Sequence, residues 1–195
     1  MTQPLGVILA GGQATRMGGG DKGLLPLGDQ TILGRVIDRL DPQVAGLALN
    51  ANGDPARFAG LGLPVIADSI PGFAGPLSGV LAGLDWAADQ GVSHIVSAAA
   101  DTPFFPCDLV PQLMLAAETQ GAPIALAATP GGRHPTFGLW PVALREDLRA
   151  ALNDGLRKVI LWTDKHGCAM AAFPDDAAFF NVNTPNDLAT AKAML

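Results

Sequence analysis

The run Val7-Ile8-Leu9-Ala10-Gly11-Gly12-Gln13-Ala14-Thr15-Arg16-Met17-Gly18-Gly19-Gly20-Asp21-Lys22-Gly23-Leu24-Leu25-Pro26-Leu27 decides how this chain is read. It opens on a short apolar, β-prone stretch from Leu5 to Leu9. Glycines follow at 11, 12, 18, 19, 20 and 23 with Arg16 and Lys22 among them, and apolar residues return at Leu24. Glycine lets backbone N–H groups approach a ligand closely, and successive N–H groups in such a loop form a concave anion site. Two cations within it suit a polyphosphate. The alternative is a flexible loop with two solvated charges, but connections this long are uncommon unless they are functional or disordered.

Two better-known phosphate motifs do not fit. Lys22 is followed by Gly23, so the Lys-Ser/Thr ending of a P-loop is missing. Gly18, Gly20 and Gly23 satisfy G-x-G-x-x-G, yet Gly18 lies well past the strand end at Leu9, where a dinucleotide fingerprint would begin.

With 195 residues, 49% of them hydrophobic and 15% charged, one compact domain with a large core is expected over 1–195. A net charge of −6 and a pI near 4.8 disfavour nucleic acid or an anionic membrane as partner. Cys107 and Cys168 are far apart and lack metal-ligand spacing, which reads as two buried free thiols in a reducing compartment. No basic leader precedes Pro4, and no apolar run approaches the ~18 residues of a membrane span, so a cytoplasmic protein is expected.

Downstream, apolar strands alternate with amphipathic helices. Thr31 to Leu40 has helical spacing, and Val44 to Asn50 reads as a second strand. Asn50 at its end either faces a ligand or caps a helix beginning near Asp54. Leu63 to Ala67 is a third strand ending at Asp68. Leu77 to Gln90 is a helix whose Ser78, Gly79, Ala82 and Gly83 permit close approach. Ser93 to Ala100 is a central strand ending in Asp101-Thr102-Pro103, where an acid at a parallel strand tip suits Mg²⁺ or caps a turn. His94 reads as a packing residue. Asp108 to Thr119 is helical, Ile124 to Trp140 is a hairpin, and Leu144 to Leu152 and Leu156 to Thr163 are helices. Cys168 to Phe173 is a last strand. Thr184 with Pro185 and Asp187 reads as the start of a closing helix, and Asn181 and Asn183 face one side of an extended segment. Arg157-Lys158 is either a solvated pair or a contact for an anionic substrate.

The order L-A-G-G-x-x-x-R-M-G-G-x-D-K-G-L, with Gly75-Pro76-Leu77-Ser78-Gly79, Asp101-x-Pro103 and Phe179-x-Asn181-Val182-Asn183-Thr184-Pro185, resembles the molybdenum cofactor guanylyltransferases along the whole chain. Ser78 departs from the alanine usual there. The resemblance implies a three-layer α/β/α sandwich, Rossmann-like with a mostly parallel sheet, of the nucleotide-diphospho-sugar transferase type. It also implies transfer of GMP from GTP to molybdopterin that carries molybdenum, with pyrophosphate released. GTP and Mo-molybdopterin are the substrates so implied, other molybdenum cofactor biosynthesis or acceptor proteins the partners, and Mg²⁺ the cofactor.

By the same resemblance Arg16, Lys22 and Asp101 are catalytic, with Asp101 the metal ligand. Leu9, Ala10, Gly11, Gly12, Lys22, Asn50, Asp68 and Asp101 meet GTP. His134, Arg157, Lys158, Asn181 and Asn183 are the expected contacts to pterin or phosphate. A cytidylyltransferase acting on the same pterin, a sugar-1-phosphate nucleotidyltransferase and a non-catalytic nucleotide-binding protein remain the competing readings. No residue set suggests a nucleophilic side chain, so the chemistry expected is phosphoryl transfer by positioning and charge neutralisation.

Overall fold

A computed structural model describes residues 2–11, 21–72 and 75–195. Gly12 and Arg16 lie outside the described residues. Among the described residues seven strands form one sheet. In chain order they are β1 (Leu5–Leu9), β4 (Leu47–Asn50), β5 (Val65–Ile66), β6 (His94–Ala99), β7 (Ile124–Thr129), β8 (Gly132–Pro141) and β9 (Cys168–Ala172). Across the sheet the order is β5-β4-β1-β6-β8-β7-β9, and a separate small ribbon pairs β2 (Pro26–Leu27) with β3 (Gln30–Thr31). Pairings of β1 with β4 and β6, β4 with β5, and β7 with β9 are parallel, whereas β8 runs antiparallel to both β6 and β7.

Among the described residues five α-helices cover the two faces, α1 (Ile32–Leu40), α2 (Pro76–Asp89), α3 (Leu109–Gln120), α4 (Arg145–Asn153) and α5 (Val159–His166), and a sixth, α6 (Pro185–Ala193), packs beside the small ribbon in a core of its own. Alternation along the strands sends residues to opposite layers. Ile8, Ala125 and Ala127 join the core under α1 and α3, while Val7, Ile124 and Leu126 join the core under α2, α4 and α5. This is the α/β/α sandwich expected from the sequence.

The small residues of α2 do what their size allows. A Cβ added at Gly83 would come within 2.7 Å of Val7 and 2.8 Å of Ile95, so α2 lies directly on β1 and β6. Several sequence boundaries shift inward. The second strand starts at Leu47, because Val44 is still tied back to Asp41 in a turn, its N–H donating to the Asp41 carbonyl. The last helix pair breaks later than expected. Leu156 N–H donates to the Ala151 carbonyl and Gly155 N–H to that of Leu152, so this stretch finishes α4 and α5 begins only at Val159. Among the described residues no helix is long and apolar enough to cross a membrane.

Chain order reverses direction at β1: β4 and β5 lie on one side of it, and β6 lies on the other. In an open α/β sheet a ligand crevice forms outside the carboxyl ends of the strands at such a point.

Candidate active site

The crevice is present. A cleft of about 280 Å³ is lined by Leu9, Ala10 and Gly11 after β1, Asn50 after β4, Asp68 after β5, and Ala99 to Asp101 after β6, with Lys22 and Asn181 closing one end. Its members are strand-end residues because each parallel strand is an apolar run that stops where the sheet stops. The first polar side chain beyond the run is then left at the rim.

One end of the cleft is ionic. The Lys22 ammonium donates to Asp101 Oδ2 at 2.6 Å and to Asn183 Oδ1 at 2.6 Å, so two oxygens from distant parts of the chain converge on a single positive charge. Lys22 is held there by a turn of 3₁₀ helix over Lys22–Leu24. Behind Asp101, fully buried Thr102 donates its hydroxyl to Asn181 Oδ1 at 2.5 Å and more weakly to Asp101 Oδ1 at 3.3 Å. The Val182 N–H donates to the Asp101 carbonyl at 2.8 Å, and the Val182 side chain is wholly buried in a small core with Leu27, Ile32 and Ala191. Asn181 and Asn183 are thereby turned toward the cleft. The following helix starts at Thr184, which with Asp187 forms a reciprocal capping box.

The other end is an amide and carboxylate cluster. Asn50, only 2% exposed, donates to Asp68 Oδ1 at 3.0 Å and to the Ile66 carbonyl at 3.2 Å. The turn of helix that Asn50 was a candidate to cap is capped instead by Asp54, whose carboxylate accepts from the Ala56 N–H at 2.9 Å. Gly79 on α2 makes room for Asn50: a Cβ there would fall 2.3 Å from Asn50 Oδ1. Asp68 also accepts from Asn52 Nδ2 at 2.8 Å.

Of the residues expected from the sequence, Leu9, Ala10, Gly11, Lys22, Asn50, Asp68, Asp101 and Asn181 line this cleft, and Asn183 joins it through Lys22. His134, Arg157 and Lys158 are not among the lining residues. His134 stacks on Phe179 with ring centroids 4.2 Å apart and shares a hydrogen bond with Thr129 Oγ1 at 2.8 Å, which pins the β7–β8 hairpin. Arg157 donates to the carbonyls of Leu152 and Leu156 at 3.1 and 2.7 Å, closing the C-terminal end of α4, and Lys158 is the residue before α5.

His94, half-buried at the start of β6, meets Ser93 Oγ at 2.9 Å. Cys107 is exposed rather than buried, because it lies in the loop before α3, where the Arg39 guanidinium approaches its Sγ at 3.4 Å. Cys168 is half-buried, and burial pushes its thiol up to about 11.

Asn52, Thr102, Thr136 and Phe58 are among the lining or supporting residues that were not singled out from sequence. Thr136 is positioned by a buried relay, in which Trp140 Nε1 donates to Ser97 Oγ at 2.8 Å and Ser97 donates to the Thr136 carbonyl at 2.8 Å. The one available sequence signal was for Asn52, which stands two residues from Asn50 at the end of an extended run.

Comparison with known proteins agrees with this architecture. The family model described as MobA-like NTP transferase domain matches residues 6–167. A molybdenum cofactor guanylyltransferase of Cereibacter sphaeroides is 55% identical over 190 residues, covering 97% of this chain and 96% of its own. One from Rhodopseudomonas palustris is 55% identical over 196 residues, covering 98% and 92%. Among solved structures, molybdopterin-guanine dinucleotide biosynthesis protein A from Archaeoglobus fulgidus superposes with a TM-score of 0.74 at 22% identity, over 97% of each chain. A CMP:2-keto-3-deoxy-manno-octonic acid synthetase complexed with CTP superposes with a TM-score of 0.77 at 11% identity, over 99% of this chain and 98% of that one, a likeness of fold alone. By sequence, the chain belongs to the molybdenum cofactor guanylyltransferases, built on the MobA-like NTP transferase domain.

Proposed function

We propose that the cleft holds GTP with its base at the Asn50–Asp68 end and its phosphates at the Lys22–Asp101 end, and transfers GMP to the terminal phosphate of molybdopterin that carries molybdenum. The observation that carries this reading is the polarity of one cleft, with a carboxylate held by amides at one end and a cation held by oxygens at the other. Guanine presents two adjacent donors, N1–H and the N2 amino group, which a carboxylate accepts side by side. Cytosine presents a donor next to an acceptor, and the acceptor is repelled by a carboxylate. The backbone of Leu9, Ala10 and Gly11, which lines the cleft, would meet the base as well.

At the other end, Lys22 would neutralise the β- and γ-phosphates and the leaving pyrophosphate, a task the sequence resemblance also gives to Arg16. The pterin phosphate attacks the α-phosphorus in line. A phosphate monoester with a second pKa of about 6 is already largely dianionic at pH 7, so no general base is required. Asn181, which lines the cleft, and Asn183, which bonds Lys22, would hold the incoming phosphate. Their task is orientation, which converts an encounter of two anions into a reaction within one complex.

The donor set fits a hard divalent cation. Asp101 and the Asn183 carboxamide oxygen already converge on one positive charge, the Lys22 ammonium. Mg²⁺ takes one or two carboxylates and completes its shell with water and substrate phosphate. Asp101, with Asn183 beside it, would hold the ion, which when bound supplies positive charge between the two anionic substrates.

The test is pyrophosphate release from GTP in the presence of intact molybdopterin, with and without Mg²⁺. Release that needs both pterin and metal is expected. Tight GTP binding with no pyrophosphate released under those conditions would instead mark a nucleotide-binding protein.

A further inference from the structure

Asp68 is gripped more firmly than a strand-end carboxylate requires. Besides the Asn50 contact, Asn52 holds it from both ends of one carboxamide: Nδ2 donates to Asp68 Oδ2 at 2.8 Å, and Oδ1 accepts from the Asp68 backbone N–H at 2.8 Å. Each carboxylate oxygen has two lone-pair sites. With Asn50 on one oxygen and Asn52 on the other, one site on each oxygen remains for a ligand that brings two parallel donors.

Asn52 is itself exposed, and it is fixed from the opposite side. The Arg57 guanidinium donates to the Asn52 carbonyl at 2.7 Å and forms an ion pair with Asp21 at 2.9 Å. Asp21 directly precedes Lys22. Arg57 also lies 4.8 Å from the ring centroid of Phe58, which is 2% exposed and lines the cleft. A continuous path of contacts therefore runs from the phosphate end, Asp21, through Arg57 and Asn52 to Asp68 at the base end.

We infer that Asn52 is a positioning residue for base selection, setting the carboxylate plane of Asp68 so that it accepts from both N1–H and the N2 amino group of a guanine, with Arg57 anchoring Asn52 to the residue next to Lys22. This rests on the placement of the base under Proposed function. β5 contributes only Val65 and Ile66 to the sheet, so the strand alone leaves Asp68 free to rotate. Without Asn52 the carboxylate meets one donor at a time. A guanine then loses its advantage over a base that lacks the N2 amino group.

The experiment compares equilibrium binding of GTP and inosine triphosphate, which differs from GTP only in lacking that amino group, for wild type, Asn52→Ala and Asn52→Asp. No pterin is needed. Wild type is expected to prefer GTP by about tenfold or more, since a site built to bond a group rejects the analogue without it. Asn52→Ala is expected to bring the ratio below about threefold, chiefly by weakening GTP, as loss of charge-assisted hydrogen bonding would. Asn52→Asp keeps the acceptor for the Asp68 N–H but puts a like charge against Asp68 Oδ2, and the preference should fall at least as far. Wild-type selectivity surviving in both variants overturns the inference alone. A wild type that binds the two nucleotides equally overturns the base placement, and the inference with it.

Discussion

Lys22 and Asp101 touch at 2.6 Å, yet their removal should not be equivalent. In the proposed placement Lys22 is one of several groups facing the phosphates, and deleting one charge-stabilising group costs roughly 10²- to 10³-fold in rate. Lys22→Ala is expected to fall in that range in kcat, and a loss below about fivefold in steady-state assays would place Lys22 outside the chemistry. Asp101→Asn removes the carboxylate that would hold the metal, and turnover should be lost more completely, with no recovery at saturating Mg²⁺. Normal activity of that variant would remove Asp101 from the metal site. Lys22, Asn50, Asp68 and Asp101 were legible in the sequence because each stands where an apolar or glycine-rich run ends. Asn52 and Thr102 were not, because their roles depend on partners 16 and 79 residues away. Nothing local to Thr102 shows that its hydroxyl will be buried beneath Asn181.

Among the elements, the segment before α6 shows how a helix terminus can position a site. Val182 plugs a small core, Asn181 and Asn183 flank it toward the cleft, and the Thr184–Asp187 capping box fixes where the chain turns helical. Thr184→Ala should cost about 1 kcal/mol of stability in urea unfolding, the usual price of losing such a cap. An unchanged midpoint would mean that the box does not hold the segment. This element was readable in advance, since alternation and capping are local patterns. The α4–α5 boundary was not. Leu156 carries a helical apolar spacing, but its N–H is used by the end of α4, and Arg157 donates to the nearby Leu152 carbonyl, so of the basic pair only Lys158 stands at the start of α5 while Arg157 serves the helix before it.

At the scale of the molecule, two half-buried histidines give stability a pH dependence. Burial holds His94 below its ordinary value of 6.5, and burial does the same to His134 against the opposing pull of Asp176. The unfolded chain therefore binds protons more readily than the folded one on the acid side of neutrality. The contribution of the neutral imidazoles is whole above about 6.5 and is lost as pH falls through their lowered values. Asp147 is lowered by the Trp162 N–H first and by His166 and Lys165 as well, so its contribution is lost separately, as pH falls through its own depressed value below the ordinary 3.8. The thermal midpoint should be flat from pH 8 to 7 and fall toward pH 5.5, and a His94→Asn, His134→Asn double variant should flatten that fall. An identical slope in the double variant would assign the effect elsewhere.

The whole fold does not by itself carry the central functional claim, because the same α/β/α frame superposes on a synthetase complexed with CTP as well as on a guanine dinucleotide biosynthesis protein. The frame does not choose the base; in the proposed placement the residues at the cleft's Asp68 end do. The measurement that tests this most directly is product formation from α-labelled GTP, with α-labelled CTP in parallel, using Mg²⁺ and molybdopterin shown to be intact. Guanine dinucleotide from GTP with none from CTP is the expected result. Product from CTP at a comparable rate would contradict it.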